Sequence, residues 1–438
     1  MSRVFSLRTL LTLATATALA LSGAIVVGLG SPAAAEDPLA DLPDGAPEAA
    51  RRIEPALATP QGWPFEQRLS RTSGTGRLFD GASYWSDFVY DDHGATVQGG
   101  FTLPGTTLLA PVQGGATYPA GASHGNGADI FIAATGADAN ASYWRVDWNT
   151  LTDPTIPIAV WTFDTDSRAS TGTGEWPGAA GVTSPGIEKA LVVSSRGAWL
   201  HNLTTGAVVD ISARGGSVNV DKATRSFVAR VPRRLMPVSG KWRVRLAAGL
   251  ASADGRAMAA PLMSGGPNPS GARPYNVGFR TVQQEPPVFT DSQSTALIAA
   301  IQTSSAGLPL LDQLGVDGLA RFVTGNFWGE DHQADALASG DVSAFARTLD
   351  WSALGNKVST PEPLVRGSSN RWYVSGLDLG QGVIPNPDSD LSGDGRPNFL
   401  GRIQPYAVYV PRSYRPAKAA PLTWILHSLS VNHNQYAA

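Results

Sequence analysis

The chain of 438 residues contains no cysteine. The fold therefore has no disulfide bond, and no thiolate can act as a nucleophile or as a metal ligand. Charged residues make up only 16% of the chain, and the net charge is −3 without a basic stripe. A protein that binds phosphate backbones needs such a stripe. We therefore expect no nucleic acid among its partners.

The start of the chain carries a long apolar segment without charged residues. Arg3 and Arg8 precede an uncharged stretch at residues 10–30, and residues 33–35 are small alanines followed by the acidic Glu36. These are the three parts of a secretory signal peptide, with cleavage before Glu36. An uncleaved membrane anchor is the alternative, but the acidic residues after the small-residue site favour removal. The sequence thus predicts a secreted, extracellular protein with no membrane span after signal removal.

Glycine (48 residues) and proline (32 residues) are abundant while charge is sparse, which is typical of turn-rich β domains. Between residues 63 and 280, short runs rich in Val, Ile, Thr and aromatic residues alternate with turn-forming clusters. The clearest predicted strands are 128–134, 143–149, 158–163, 189–194, 207–211, 226–231 and 242–246. Strands joined by turns without intervening helices predict an antiparallel β-sandwich.

One predicted strand has a strict period of two. Trp144, Val146 and Trp148 alternate with Arg145 and Asp147. This pattern is typical of a half-buried strand, so we expect the two tryptophans to share the face that fills the interior.

Trp85 is the candidate for an exposed aromatic platform. It follows Tyr84 in a segment rich in Gly, Ser and Asp, which predicts a loop. A flat ring exposed there would stack on a sugar, whereas core packing is the competing interpretation for any tryptophan.

After residue 287 the pattern changes. Asp291 is predicted to cap a helix that includes Ile301, and Asp341 to cap a second helix that includes Leu349. Residues 367–398 form a long irregular stretch.

Within that stretch, Asp388, Asp390 and Asp394 have the spacing of a calcium loop, in which hard oxygens gather around a glycine turn. Position twelve of this loop is Phe399 instead of the bidentate Glu of an EF-hand, so the sequence favours a solvated acidic turn, with a calcium loop as the alternative. The sequence therefore predicts no cofactor, and calcium at this turn is the alternative. We call these three aspartates the predicted calcium loop.

The sequence thus predicts a mainly β protein with five parts. They are a signal peptide (1–35), a flexible leader (36–61), a β-sandwich domain (62–285), a helical and irregular connector (286–400), and the first strands of a further domain (401–438).

Residues 404–411 (QPYAVYVP) and 421–429 (PLTWILHSL) indicate the nature of that last part. They resemble the opening of secreted α/β-hydrolases, in particular depolymerase-like esterases and prolyl-oligopeptidase-like peptidases. The resemblance implies an early strand, then a strand that leads into the oxyanion-hole loop. It assigns the backbone N–H donors to Ser428 and Leu429, although Ser428 stands where the family has glycine.

In that family the catalytic serine, acid and histidine follow this loop. The resemblance therefore implies the truncated N-terminal part of a secreted serine hydrolase, an esterase or peptidase, and the chain alone is expected to be inactive. A literal elbow motif at residues 121–125 contains Ser123, but its surroundings predict a hairpin-like loop and not the required strand, turn and helix.

Residues 127–250 carry a second resemblance, through runs such as 128–132 (ADIFI), 143–151 (YWRVDWNTL) and 227–232 (FVARVP). These are similar to the DOMON-type or glucodextranase C-terminal sandwich. The similarity implies a jelly-roll-like module that binds carbohydrate or another ligand. The alternative hypothesis is therefore an extracellular binding protein without catalysis, and a surface-associated structural module is a third. The expected partner is an extracellular small molecule, ester, peptide or glycan.

Overall fold

The computed structural model describes residues 54–89, 91–92, 94–95, 116–119, 127–263, 266–267, 271–282, 332–376, 383–384, 398–399, 402–418 and 421–423. The strands among them are β1 Thr75–Phe79, β2 Ala82–Ser86, β3 Ala116–Thr117, β4 Ile130–Ala137, β5 Ala141–Trp148, β6 Pro157–Asp164, β7 Thr173–Glu175, β8 Thr183–Ile187, β9 Lys189–Ser194, β10 Gly197–Asn202, β11 Ala207–Asp210, β12 Ser217–Asp221, β13 Ser226–Pro232, β14 Lys241–Leu250, β15 Leu262–Met263, β16 Gly266–Pro267, β17 Asn276–Val277, β18 Arg347–Asp350, β19 Gly367–Val374, β20 Val383–Ile384, β21 Asn398–Phe399 and β22 Ile403–Val410. The helices are α1 His332–Ser339 and α2 Trp351–Gly355.

Two antiparallel sheets dominate the described residues. The first has the order β1-β2-β4-β5-β13-β12, and the second has the order β11-β10-β9-β6-β14-β17, with β18 also paired to β14. Each of the seven strands predicted from the sequence is present, with ends shifted by a few residues. The mainly β, antiparallel class that the sequence predicts is therefore confirmed.

The two sheets pack face to face across a shared aromatic core. The ring of Trp144 in β5 lies 5.3 Å from that of Trp161 and 4.4 Å from that of Phe163, both in β6. Trp144 and Trp148 are 1% and 0% exposed in this core, which confirms that they share the interior face. Burial of such large apolar side chains is the main stabilising contribution in a chain without disulfides.

Both outer faces of the pair of sheets are covered as well. Trp176, Leu337 and Phe345 pack on the outer face of the second sheet. Trp63 lies on the outer face of the first sheet, as does Trp372 from β19. The strand predicted to be half-buried is therefore buried on both faces, since Arg145 and Asp147 are 1% and 4% exposed.

The segment of residues 54–69 forms part of this outer cover. Trp63 donates a hydrogen bond through Nε1 to the Tyr84 hydroxyl (3.1 Å), and that hydroxyl donates to the carbonyl of Glu66 (2.7 Å). Gly136 of β4 makes room for Phe65, because a Cβ there would lie 2.5 Å from the Phe65 ring. Residues at the end of the predicted flexible leader make contacts as well, since Gln61 N–H donates to Asp221 Oδ2 (3.1 Å) and Leu57 packs against the outer cover.

The helix predicted from Asp341 to Leu349 is wrong. Asp341 accepts a hydrogen bond from the backbone N–H of Ser343 (2.8 Å) in a turn, and Arg347–Asp350 forms β18 along the edge of β14. Leu349 pairs with Trp242 there and enters the core between the sheets. Sheet pairing and burial at this edge outweigh the local helical pattern. The helix predicted at Asp291 lies outside the described residues.

In the described part of the chain, no helix is both long enough and apolar enough to cross a membrane.

Candidate functional site

Most of the predicted site residues lie outside the described residues. These are the oxyanion-hole candidates Ser428 and Leu429 and the predicted calcium loop, Asp388, Asp390 and Asp394. Both sites stay predictions from the sequence.

The exposed position predicted for Trp85 is wrong. Trp85 lies in β2, is only 8% exposed, and belongs to the core between the two sheets. Its ring packs edge-to-face on Phe279 with the centroids 5.8 Å apart, and the guanidinium of Arg347 lies 5.0 Å from its centroid. The turn-like composition around it marks a tight hairpin between β1 and β2, not a loop, and this pairing turns the ring inward.

An acidic cluster of Asp164, Asp166 and Glu188 forms where β6 ends and β9 begins. One oxygen from each of the three carboxylates lies within 4.8 Å of the others, so the cluster could hold a metal ion. The backbone bond from Glu188 N–H to the Phe163 carbonyl (3.0 Å) brings the two strand ends together. Sequence reasoning missed this cluster because pairing of distant strands creates it.

Protein donors already occupy the acidic cluster. Arg243 Nη1 lies 3.1 Å from Asp164 Oδ2, and Glu188 accepts hydrogen bonds from Thr165 N–H and from the Thr171 hydroxyl, both at 2.7 Å. Burial raises the pKa of Asp164; Arg243 opposes this shift and Glu188 adds to it. A cation entering here would compete with Arg243.

A cavity of about 240 Å³ lies on the outer face of the first sheet. One wall is formed by residues 56–58, which belong to the segment of residues 54–69 that covers the sheet and is called the covering segment below. The other walls are the β5 side chains Arg145 and Asp147 and the turn of residues 222–225 between β12 and β13. Phe131 and Arg402 complete the lining. We call this space the Arg145 cavity.

Arg145 and Asp147 form a bidentate ion pair in the wall of the cavity. Nε of Arg145 donates to Oδ1 of Asp147 at 2.7 Å, and Nη2 donates to Oδ2 at 2.5 Å. Nη1 of Arg145 is buried and has no hydrogen-bond partner within the described part of the chain. An unsatisfied buried donor costs about 1–3 kcal/mol, so an acceptor that reached this atom would stabilise the protein.

A β-bulge places Phe131 beside this pair. The register between β4 and β5 shifts between Ile130, which pairs with Trp148, and Ile132, which pairs with Asp147. Phe131 is thus the extra residue, and it joins the outer cover while Ile130 stays in the core between the sheets. Bulges commonly re-aim a side chain in this way next to binding sites.

The turn of residues 222–225 brings two more cations to the cavity. Asp221 Oδ1 accepts hydrogen bonds from the backbone N–H groups of Ala223 (2.9 Å) and Thr224 (3.2 Å), which fixes the turn. Arg225 has a left-handed backbone (φ 56°), and its Nη1 donates to the Asn149 carbonyl at 2.9 Å. Lys222 stands exposed at the rim of the cavity.

The cavity lining therefore holds four cationic side chains and one carboxylate. The sequence contained one signal of this arrangement, because Arg145 and Asp147 two residues apart on an alternating strand must share a face. The covering segment, the turn at 222–225 and Arg402 are distant in sequence and could not be assigned to that face.

No protein family and no curated protein that we compared with the chain matches it. The function is therefore inferred from the described residues, which form an antiparallel β domain with a cation-lined cavity.

Proposed function

We propose that the β domain is the ligand-binding module of an exported protein and that its ligand enters the Arg145 cavity. The single observation that carries this proposal is the buried Nη1 of Arg145, a residue of the cavity wall, which has no hydrogen-bond partner among the described residues. The resemblance of residues 127–250 to jelly-roll-like modules that bind carbohydrate or other ligands supports the same function.

The size of the cavity limits what it can hold. Pockets for drug-sized ligands measure roughly 300–1,000 Å³. At about 240 Å³ the Arg145 cavity suits a small molecule or one terminal group of a larger one. A glycan would therefore enter with a single unit.

A variant that fills the cavity tests this function without altering its charge. Ala58 lines the cavity and is exposed, whereas the adjacent Thr59 is exposed and does not line it. We would measure thermal shifts of the wild type, Ala58→Trp and Thr59→Trp with a panel of neutral sugars, acidic sugars, organic acids and inorganic anions. A compound that stabilises the wild type and Thr59→Trp, but not Ala58→Trp, supports the module. Equal shifts in all three proteins, or none for any compound, contradict it.

The second candidate function is that of the N-terminal part of a secreted serine hydrolase. The resemblance of residues 404–429 supports it; Ile403–Val410 forms β22. In such an enzyme the backbone N–H groups near Ser428 and Leu429 would stabilise the oxyanion of a tetrahedral intermediate, and a serine activated by histidine would attack.

Two measurements test the hydrolase proposal. The gene beyond codon 438 is expected to continue in frame with a strand, a G-x-S-x-G elbow and a helix, and a stop codon there would contradict the proposal. The purified chain itself is expected to give no saturable turnover of p-nitrophenyl acetate. Turnover abolished by Ser123→Ala would show instead that the elbow-like loop is catalytic.

Calcium is the cofactor that the acidic residues favour, since carboxylate oxygens are its preferred ligands. Two sets of carboxylates compete for it, the predicted calcium loop and the acidic cluster. Arg243 makes the acidic cluster the weaker of the two, so we propose the loop. Thermal stabilisation by millimolar calcium should be lost in Asp390→Asn and kept in Glu188→Gln, and the reverse result would assign the ion to the acidic cluster.

A further inference from the structure

We infer that the group bound in the Arg145 cavity is an oxyanion, such as the carboxylate of an acidic sugar or a sulfate. This inference rests on the proposed ligand-binding function and adds the chemical class of the ligand.

Among the described residues, only one edge of the Arg145 guanidinium forms hydrogen bonds. Its Nε and Nη2 atoms bind the two carboxylate oxygens of Asp147, while Nη1 is left without a partner among the described residues. The guanidinium is planar, so its second edge presents Nη1 and the remaining N–H of Nη2 side by side. That edge matches two oxygens of a carboxylate or a sulfate in the fork geometry that arginine favours.

The lining has more cationic than acidic side chains, which disfavours a cation. Besides Arg145 and Asp147, the described lining contains the cationic residues Lys222, Arg225 and Arg402 and no further carboxylate. A sugar hydroxyl could accept a hydrogen bond from Nη1 but would match only one of the two N–H positions of the fork. An oxyanion matches both positions, and this interaction is strengthened by the low dielectric around buried groups.

Three separate parts of the chain supply these charges. Arg145 lies in β5, Lys222 and Arg225 lie in the turn after β12, and Arg402 directly precedes β22. A bound anion would therefore join the first sheet to the β19–β22 ribbon.

Isothermal titration with three small probes tests the inference. Sodium glucuronate and sodium sulfate carry an oxyanion, and glucose matches glucuronate in size without a charge. We expect both anions to bind at low ionic strength and glucose to bind at least tenfold more weakly. Binding of glucuronate alone would also support an oxyanion and would identify the carboxylate as the source.

Variants show whether the anions occupy the cavity. Ala58→Trp is expected to abolish anion binding, and Lys222→Gln at the exposed rim is expected to weaken it about fivefold. Arg145→Lys keeps the positive charge but loses the fork, so it should weaken binding more than Lys222→Gln does. Lys241→Gln, whose side chain is 68% exposed and does not line the cavity, is the matched control and should bind like the wild type.

The possible failures are distinguishable. Glucose that binds as tightly as glucuronate, with both lost in Ala58→Trp, would overturn the oxyanion inference and leave the ligand-binding function standing. Anion binding that is unchanged in Ala58→Trp would mean an adventitious surface ion and would overturn the inference. No binding of any compound at the cavity would overturn both proposals.

Discussion

Arg145 and Asp147 are two residues apart on one strand and are held together by two hydrogen bonds, at 2.7 and 2.5 Å, although both side chains are buried. Buried charges in proteins are tolerated when they are paired and hydrogen-bonded. Within the strand, the Asp147 carboxylate accepts two hydrogen bonds from Arg145, while Nη1 of the guanidinium has no hydrogen-bond partner among the described residues. That asymmetry is the basis of the proposed binding site.

Removal of one partner of the pair should destabilise the protein strongly. Asp147→Ala leaves the guanidinium of Arg145 buried without its counterion, and we expect a loss of about 3–5 kcal/mol in the free energy of unfolding, measured by urea denaturation. Lys241→Ala breaks an exposed pair with Asp350 and should cost at most about 1 kcal/mol. Sulfate should restore part of the stability of Asp147→Ala. A loss no greater than that of Lys241→Ala would show that the buried pair is not formed.

Trp85 should act as a core residue. Trp85→Ala removes a large buried ring between the sheets and is expected to lower the free energy of unfolding by about 3–5 kcal/mol. Tyr409→Ala, at a position 65% exposed, should change it by no more than about 0.5 kcal/mol. Thermal denaturation of both variants measures this difference in stability. A stable Trp85→Ala that lost affinity for polysaccharide would restore the exposed-platform interpretation.

Asp350 should contribute to stability as a helix cap. Its side chain accepts hydrogen bonds from the backbone N–H groups of Ser352 (3.0 Å) and Ala353 (3.2 Å) at the start of α2. Asp350→Ala is expected to lower the melting temperature, because it leaves these two N–H groups without the cap. Asp350→Asn retains an oxygen acceptor and should cost less, measured in the same melting experiment. Equal losses in the two variants would assign the effect to the ion pair with Lys241 instead.

Asp164 should make stability fall with rising pH in a limited window. Burial raises its pKa in the folded state above the ordinary value of 3.8, with Arg243 opposing the shift. As the pH rises, the unfolded chain releases this proton before the folded protein does. The free energy of unfolding therefore falls from about pH 3.8 up to the raised folded-state pKa and stays constant above it. The melting temperature of the wild type relative to Asp164→Asn should therefore decline across that window.

Asp166 provides a control of opposite sign. Against a desolvation effect, hydrogen bonds from Arg168 N–H and the Thr171 hydroxyl lower the pKa of this exposed carboxyl. Its contribution to stability is therefore present above the ordinary pKa and lost as the pH falls. Relative to Asp166→Asn, the wild type should lose stability on acidification. The same slope for both variants would contradict the assigned environments.

Local patterns predicted seven strands of the two main sheets because their information lies in adjacent residues. The alternation at residues 144–148 fixed which side chains face the core, and the turn-forming clusters placed the strand ends. The same local reasoning failed for Leu349 and Trp85, because the edge of β14 and the face of β2 decide the environments of these residues. Pairing partners more than 40 residues away cannot be inferred from local propensity.

For the same reason, the candidate site could not be predicted in full from the sequence. The pattern predicted a solvent-facing side for β5, and only the packing of residues 54–69 and of the β19–β22 ribbon converts that side into a buried one. A buried Arg145 with an unsatisfied N–H favours a bound acceptor, whereas the N–H groups of an exposed arginine would bind water.

The most direct test of the central claim is a crystal structure of the chain soaked in sodium selenate, an analogue of sulfate that can be located by its anomalous signal. We expect an anomalous peak inside the Arg145 cavity, within hydrogen-bond distance of Nη1 of Arg145. A cavity filled by a protein side chain, or selenate found only at other positions, would contradict the account.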